Sequence, residues 1–257
     1  MEETLSAPAL SRSTADLLRR VKEVGKETLR LGTTNGGYHF GGSFSAMHLL
    51  VALYDVVLTD EDRFILSKGH ACWPQYVLLR ERGYDPELSG HPSLDPENGI
   101  WCTTGSEGHG LPVGMGMAKA RKMRGRGGRI FVLIGDGECQ EGTMWEAMLT
   151  AANHRLDNVV AIVDWNRIQG SGFVRDILPL PDIGKIAEVI GWEVTTIDGH
   201  DFAQILPALE RETPGKPHMI VANTVKGKGV SYMEDKPGWH ARFPSKDELQ
   251  QAYEELS

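Results

Sequence analysis

The amino-acid sequence predicts an α/β protein with a doubly wound parallel sheet and helices on both faces. Short apolar, β-branched runs recur near residues 64, 131, 160, 194 and 221. Segments with the helical spacing of apolar residues lie between these runs, as in a chain of β-α-β units. Glycine and polar residues follow most of the runs directly, which is typical of buried parallel strands at their carboxyl ends. In such a sheet a ligand binds outside those strand ends.

Composition limits the class of protein. The chain has 257 residues, 40% of them apolar, which is enough for a single large domain over residues 13–257 after a flexible segment at 1–12. The net charge of −8 argues against nucleic-acid binding. No apolar stretch reaches the length of about 18 residues that a membrane span requires. Three cysteines without metal-binding spacing predict a reducing, cytoplasmic location.

The first third of the chain is predicted to be mainly helical. Ser13 caps a helix that extends to Leu31, and the glycine-rich stretch Gly32–Gly42 is a loop. The remaining elements of this part are a helix from Ser43, a strand at Asp62–Ser67 and a helix at Cys72–Arg82.

The rest of the chain alternates helices and strands. A proline-containing loop at Gly83–Ile100 precedes this region. The predicted helices are Leu111–Met123, a helix opening at Glu141, Asp182–Ile190, a helix ending at Glu210, and Ser245–Glu255; the predicted strands are Ile130–Ile134, Asn158–Asp164, Trp192–Ile197 and His218–Val225.

Two of these strands place polar groups at one edge of the sheet. Asp136 follows the first strand of a β-α-β unit, and Asn166 follows the second about 30 residues later. Their oxygens suit Mg²⁺ or Ca²⁺ together with a diphosphate, and Gly135 and Gly137 let the backbone approach a phosphate. The alternative is an ordinary domain with turn glycines and an Asx turn. The pairing of Gly-Asp-Gly with a strand-end Asn favours the cation site.

This pairing resembles the thiamine-diphosphate motif, and the words GDGECQEGTMWEA and LDNVVAIVDWNRIQ look like transketolase. The resemblance implies the thiamine-diphosphate-binding fold, specifically its diphosphate domain. It also implies thiamine diphosphate with Mg²⁺ (or Ca²⁺) as cofactors. Asp136, Asn166 and the main-chain carbonyl of Ile168 would hold the metal. The family usually has Asn or Asp before the metal-binding Asn, and this chain has Trp165 there.

Four further sequence segments also resemble the family, and each contains a histidine that matches the family pattern. They are HFGGSFSAMHLLVALY, DRFILSKGHA, GHP and VKGKGVSYMEDKPGWH. The family pattern implies that His39 contacts substrate hydroxyls and that His70 lies near the diphosphate and the reacting carbon. It implies that His91 hydrogen-bonds substrate and that His240 lies near the diphosphate. The two lysines of KGKG, Lys226 and Lys228, are predicted to be solvated turn residues rather than diphosphate neighbours.

The segment TTGSEGHG departs from the family pattern. Gly105, Ser106 and Glu107 correspond to residues that line the cofactor, but the family usually has Leu where Glu107 stands and Gln where His109 stands. One interpretation is an altered donor or acceptor sugar. The other is that Glu107 points away toward a neighbouring subunit. The sequence does not distinguish them.

The resemblance covers roughly residues 13–245, which match only the first half of a full transketolase. The pyrimidine-binding domain is absent, so the resemblance implies a split enzyme that needs a second subunit, in an α₂β₂ assembly. Glu141 and Glu146 match acidic positions at the subunit contact. Such an enzyme moves a two-carbon ketol unit between sugars or sugar phosphates.

Two other classes stay open. The chain could be half of another thiamine enzyme, such as a 2-oxoacid dehydrogenase or a synthase of a specialised pathway. It could also be a non-catalytic homologue that keeps the fold. The words LSKGHA, GHP and TTGSEGHG argue against the dehydrogenase. The presence of Asp136, Asn166 and four motif histidines argues against the scaffold.

Overall fold

The structure is a computed structural model that describes residues 13–170 and 172–257. Its centre is a sheet of five parallel strands, in the spatial order β1 (Arg63–Leu66), β2 (Ile130–Gly135), β3 (Val159–Trp165), β5 (His218–Asn223) and β4 (Glu193–Asp198). The predicted fold class is confirmed, and each expected strand is present. The expected flexible segment, residues 1–12, lies outside the described residues.

Helices surround the sheet, and side-chain caps start several of them. Ser13 and Ser245 each form a capping box, in which the serine hydroxyl and a first-turn carboxylate bond each other's backbone amides. Asp182 and Asp201 cap two further helices. The helices are α1 (Thr14–Thr34), α2 (Phe40–Ser45), α3 (Met47–Ala52), α4 (Trp73–Arg80), α5 (Gly110–Met123), α6 (Gly142–Asn153), α7 (Val174–Ile177), α8 (Ile183–Ile190), α9 (Phe202–Glu210) and α10 (Lys246–Glu255).

The sheet separates two hydrophobic cores. Side chains of β2 alternate between them: Phe131 and Leu133 face one core, and Ile130, Val132 and Ile134 face the other. Helices α1–α4, α9 and α10 cover the first face, while α5, α6 and α8 cover the second. Burial on both faces explains why the strands read as nearly continuous apolar runs.

The β2-α6-β3 unit sets the geometry of the strand ends. The two strands are parallel neighbours, and Gly135 pairs with Asp164 in the register. Asp136 and Asn166 therefore leave the sheet at the same edge, as the sequence predicted. Among the described residues, no helix is both long enough and apolar enough to span a membrane.

Several predicted boundaries were wrong, and the glycine-rich stretch after the first helix is the clearest case. Helix α1 continues through Gly32 to Thr34, and α2 already begins at Phe40. A Cβ on Gly32 would lie 2.7 Å from the Phe40 ring, so this glycine permits close packing rather than a loop. A small hairpin, Ile168–Gln169 with Gly172–Phe173, was not predicted.

Candidate functional site

A cleft of about 280 Å³, including its open mouth, lies at the carboxyl ends of β1, β2, β3 and β5. Each of these strands delivers a polar residue to it directly after its last residue or within three positions. The described residues lining the cleft are Lys68, His70, Glu107, Gly135, Asp136, Gly137, Glu138, Asn166, Ile168, Gln169, Gly170, Lys226 and His240. Most of the residues that the sequence predicted for the site are in this group.

Three residues with oxygen acceptors line the cleft: Asp136 with its carboxylate, Asn166 with its side-chain amide and Ile168 with its main-chain carbonyl. The Asp136 carboxylate accepts hydrogen bonds from the amides of Gly137 (2.8 Å) and Arg167. The Asn166 side-chain oxygen accepts from the Ile168 amide at 3.1 Å. Burial, followed by the charge of nearby Asp164, raises the pKa of Asp136 to about 6. A carboxylate that burial makes costly to ionise is one that a cation would stabilise.

Lys68, which lines the cleft, belongs to a buried ion pair. The Lys68 ammonium bonds the Asp164 carboxylate, and both side chains are almost completely buried. Asp164 also accepts bonds from Ser45 (2.5 Å) and Thr224. Burial alone would raise the pKa of Asp164, but the Lys68 charge and these hydrogen bonds outweigh it and hold the pKa below 3.8. Asp164 is therefore a fixed negative charge.

Lys226 is a second buried cation at this edge of the sheet. Only 1% of the residue is exposed, and its ammonium lies 2.9 Å from the Ile168 carbonyl and 3.1 Å from His240 Nδ1. Burial and then the charge of Lys68 lower its pKa to about 8. The prediction that Lys226 is a solvated turn residue was wrong. Lys228 does lie at the surface, 3.5 Å from Glu234.

The four predicted histidines come together beside the cleft. The ring centroid of His39 lies 5.4 Å from that of His70, 5.2 Å from that of His240 and 6.0 Å from that of His91. The centroids of His70 and His240 are 4.9 Å apart. These residues come from segments up to about 200 residues apart in the chain, so their contact is a product of the fold.

Hydrogen bonds fix the tautomers of two of these rings. His39 Nδ1 lies 2.6 Å from the His240 carbonyl, which can only accept, so Nδ1 carries the proton. His240 Nδ1 faces the Lys226 ammonium, which can only donate, so its proton is on Nε2. Burial lowers the pKa of His39, His70 and His240, to about 3 for His240, so these rings are neutral at pH 7. His39 therefore offers an Nε2 acceptor and His240 an Nε2 donor.

A buried carboxylate that the sequence analysis did not single out organises the wall of the cleft. Glu138 is 1% exposed and accepts bonds from the Ser67 hydroxyl and from the amides of Gly108 (2.8 Å) and Gly135 (3.1 Å). It thereby ties β1, β2 and the TTGSEGHG loop together. Burial raises the pKa of Glu138 to about 6, against the effect of these hydrogen bonds.

Glu107 is positioned by that loop. Gly108 has a positive φ of 84°, and a Cβ there would lie 2.7 Å from the Cβ of Glu141. Burial and then the Glu141 charge raise the pKa of Glu107, while Lys68 and Lys226 oppose them. Glu107 lines the cleft and is exposed. Because Glu107 both lines the cleft and is exposed, an altered sugar substrate and a contact with a neighbouring subunit remain two predictions for this residue.

The other predicted residues do not line the cleft. The Gly105 backbone lies against the His91 ring, since a Cβ there would be 3.2 Å from it. Ser106 and Glu141 are exposed beside the cleft, and Glu146 lies on α6. The roles of Glu141 and Glu146 at a contact between subunits stay predictions.

Sequence reasoning missed Lys68, Asp164 and Glu138. Each is a charged residue beside or at the end of a strand in a sheet covered on both faces, and such a residue is expected to be buried and paired. Lys68 stands in the word DRFILSKGHA, and Glu138 stands in GDGECQEGTMWEA. The sequence could have identified these three residues, because each is charged and lies at or near the carboxyl end of a predicted buried strand.

The chain is similar to known transketolase domains and subunits. Residues 39–257 match the family model of the transketolase thiamine diphosphate binding domain. An apulose-4-phosphate transketolase subunit of Actinobacillus succinogenes is 39% identical, over 94% of this chain and 96% of that protein. A subunit of the 6-deoxy-6-sulfo-D-fructose transketolase of a Clostridium species is 36% identical, over 90% and 92%.

The fold is similar to that of solved transketolase structures. Transketolase from Campylobacter jejuni superposes with a TM-score of 0.82 and 26% identity, covering 93% of this chain but 42% of that one. The chain thus corresponds to somewhat under half of a full-length transketolase and to nearly the whole length of the two similar subunits. It belongs to the family of transketolase thiamine-diphosphate-binding domains.

Proposed function

We propose that this chain is the diphosphate-binding subunit of a split transketolase that transfers a two-carbon ketol unit between sugar or sugar-phosphate substrates. The observation that carries the proposal is the cleft. Its oxygen groups and two buried lysines follow separate strands at the carboxyl edge of the sheet, and four histidines from separate segments of the chain cluster beside them. The similar subunits act, by their names, on apulose-4-phosphate and 6-deoxy-6-sulfo-D-fructose. The acceptor and donor of this chain are sugars of that kind.

The cleft fits a divalent cation and a diphosphate. Asp136, Asn166 and Ile168 present a carboxylate, an amide and a carbonyl oxygen, and each oxygen type has two acceptor sites, so existing hydrogen bonds leave room for Mg²⁺ or Ca²⁺. Lys68 and Lys226 supply positive charge for phosphate oxygens. If Gly135 carried a Cβ, the nearest other atom would be 3.6 Å away, on Lys68. The space beside the Gly135 backbone is therefore open.

Thiamine diphosphate supplies the carbanion chemistry when it is bound. The chain's own residues bind and orient. Neutral His39 and His240 present an acceptor and a donor side by side, which suits adjacent substrate hydroxyls. His70 and His91 complete the cluster, and Glu107 lines the cleft at the end of the segment Gly105–Glu107. This segment and the histidines set where a sugar chain can lie.

A second subunit completes the pocket in this proposal. The cleft is open to solvent at the exposed Glu107, and Glu141 nearby is exposed as well. A partner carrying the pyrimidine-binding domain would close it, in an α₂β₂ assembly with Glu141 and Glu146 at the contact. Similar proteins that are named as subunits support this arrangement. The three cysteines are free and buried, which supports a cytoplasmic location.

The deciding experiment is reconstitution. The chain, the partner polypeptide and their mixture are each assayed for ketol transfer with thiamine diphosphate and Mg²⁺, using ketose phosphates as donors. Activity is expected only in the mixture. His70→Ala should remove activity while leaving assembly intact by gel filtration. A fully assembled, cofactor-loaded mixture without transfer would support the non-catalytic alternative instead.

A further inference from the structure

A second, larger cavity lies at the other edge of the sheet. It measures about 930 Å³, including its open mouth, and opens at the amino end of β1, which begins at Arg63. The candidate cofactor cleft lies beyond the carboxyl end of the same strand, so the two are separate. The volume that a water-sized sphere can occupy in it is about 320 Å³, at the lower end of the range of about 300–1,000 Å³ that is typical of small-molecule sites.

Aromatic side chains form much of its wall. Tyr54 and Phe64 pack edge to face with ring centroids 5.5 Å apart, and Tyr84 is 41% exposed. Trp101 completes this set. Gly99 is part of the wall and has a positive φ of 80°. A Cβ at this position would lie only 2.8 Å from the Leu79 side chain, so the close approach requires glycine. Such a surface suits a flat ring.

The charge at this cavity comes from Arg63. Its guanidinium carbon lies 4.1 Å from the Trp101 ring centroid, and Nη1 donates to the carbonyls of Asp60 (2.8 Å) and Asp62 (2.5 Å). Within residues 13–170 and 172–257, Nε and Nη2 have no hydrogen-bond partner and the guanidinium has no ion pair. The Nε–Nη2 edge of arginine is one that binds a carboxylate or phosphate with two parallel bonds.

The other charged groups of the wall are already engaged or solvated. Arg82 pairs with Asp55 and bonds the Tyr54 carbonyl. The Asp62 carboxylate accepts bonds from Thr59 and from the Arg129 amide. Asp60 is exposed at the rim, where water screens its charge. Arg63 is thus the cation available to a ligand.

We propose that this cavity binds a small aromatic anion: a nucleobase or aryl ring stacked beside Tyr84 and Trp101, with its phosphate held by the Nε–Nη2 edge of Arg63. The site does not depend on the proposed ketol transfer and shares no lining residue with the cofactor cleft.

The test is isothermal titration of the full chain with AMP, with thiamine diphosphate and Mg²⁺ in excess so that the cofactor cleft is competed. One AMP site is expected. Adenosine, which lacks the anion, and inorganic phosphate, which lacks the ring, should each bind at least tenfold more weakly.

Variants locate the site. Arg63→Gln and Tyr84→Ala should each weaken AMP binding at least tenfold. Tyr84→Ala covers the case in which Arg63→Gln perturbs folding, because Tyr84 is substantially exposed. Met123→Ala, at a residue 79% exposed at the end of α5, is the matched control and should leave AMP binding unchanged. The proposal is overturned by absent AMP binding, by displacement of AMP with thiamine diphosphate, or by equal binding of adenosine and AMP.

Discussion

The buried pair of Lys68 and Asp164 gives a quantitative prediction. Replacing Lys68 with Met leaves the Asp164 carboxylate with two hydroxyl partners, Ser45 and Thr224, but no counter-charge. Replacing Asp164 with Asn leaves the ammonium with the Gly42 carbonyl at 3.1 Å and no anion. Breaking a buried pair from either side costs about 3–5 kcal/mol of unfolding free energy. The double variant carries no unpaired charge, so its cost should be smaller than the sum by at least about 2 kcal/mol.

Equilibrium urea unfolding of the cofactor-free chain measures these free energies in a double-mutant cycle. The matched control is Arg19→Ala, which removes an exposed ion pair to Asp16 of 2.8 Å and should change the unfolding free energy far less than Lys68→Met does. Strictly additive single variants, or a Lys68→Met cost no larger than that of Arg19→Ala, would refute the reasoning that this charge pair is desolvated and coupled.

Further outcomes follow from burial and packing. Because the pKa of Glu138 is about 6 in the folded chain and ordinarily 4.5, the folded state holds the proton more strongly. The unfolding free energy should therefore fall by about 2 kcal/mol as pH rises from about 4.5 to about 6. Glu138→Gln should lose that part of the pH dependence in urea titrations, and an unchanged profile would contradict it. Gly32→Ala should cost about 1–3 kcal/mol because the new methyl overlaps Phe40, whereas Gly116→Ala in α5 meets nothing within 4 Å and should be neutral or stabilising by up to about 1 kcal/mol. A smaller effect at Gly32 than at Gly116 in thermal melts would argue against this packing. Ser13→Ala removes the N-terminal cap of α1 and should lower the unfolding free energy by about 1 kcal/mol in the same thermal melts. An unchanged unfolding free energy would indicate that the cap does not form.

Strand patterns predicted the architecture well because buried parallel strands leave a strong signal. The runs containing Ile130 and Val159 are apolar on both faces, and polar residues begin only where the strands end. Hence Asp136 and Asn166 could be placed at one edge from the sequence alone. This placement relied on the rule that the two strands of a β-α-β unit are parallel and usually neighbours.

Predictions from local composition were wrong at positions where tertiary contacts determine the structure. Gly32 looked like a loop residue, but its missing side chain makes room for a neighbouring ring inside a helix junction. Lys226 looked solvated in a glycine-rich turn, yet the fold brings that turn back over the cleft and buries the ammonium against Ile168 and His240. Neither contact has a sequence pattern, since such contacts form only when the chain is folded.

Glu107 shows a third limit. The sequence identified it as a departure from the family pattern, but it could not say which way the side chain points. The position depends on Gly108, whose amide bonds Glu138 and whose carbonyl bonds Thr143. Those contacts come from the β2–α6 connection and α6, so the orientation could only be read from the assembled fold.

The most direct test of the central claim is isothermal titration of thiamine diphosphate with Mg²⁺ into the chain mixed with its partner polypeptide. Wild type and Asp176→Ala, an exposed acidic residue on α7, should both bind. Asp136→Ala, or a chelator that removes Mg²⁺, should abolish binding. No heat of binding for wild type, or equal binding by wild type and Asp136→Ala, would contradict the assignment of this cleft as the cofactor site.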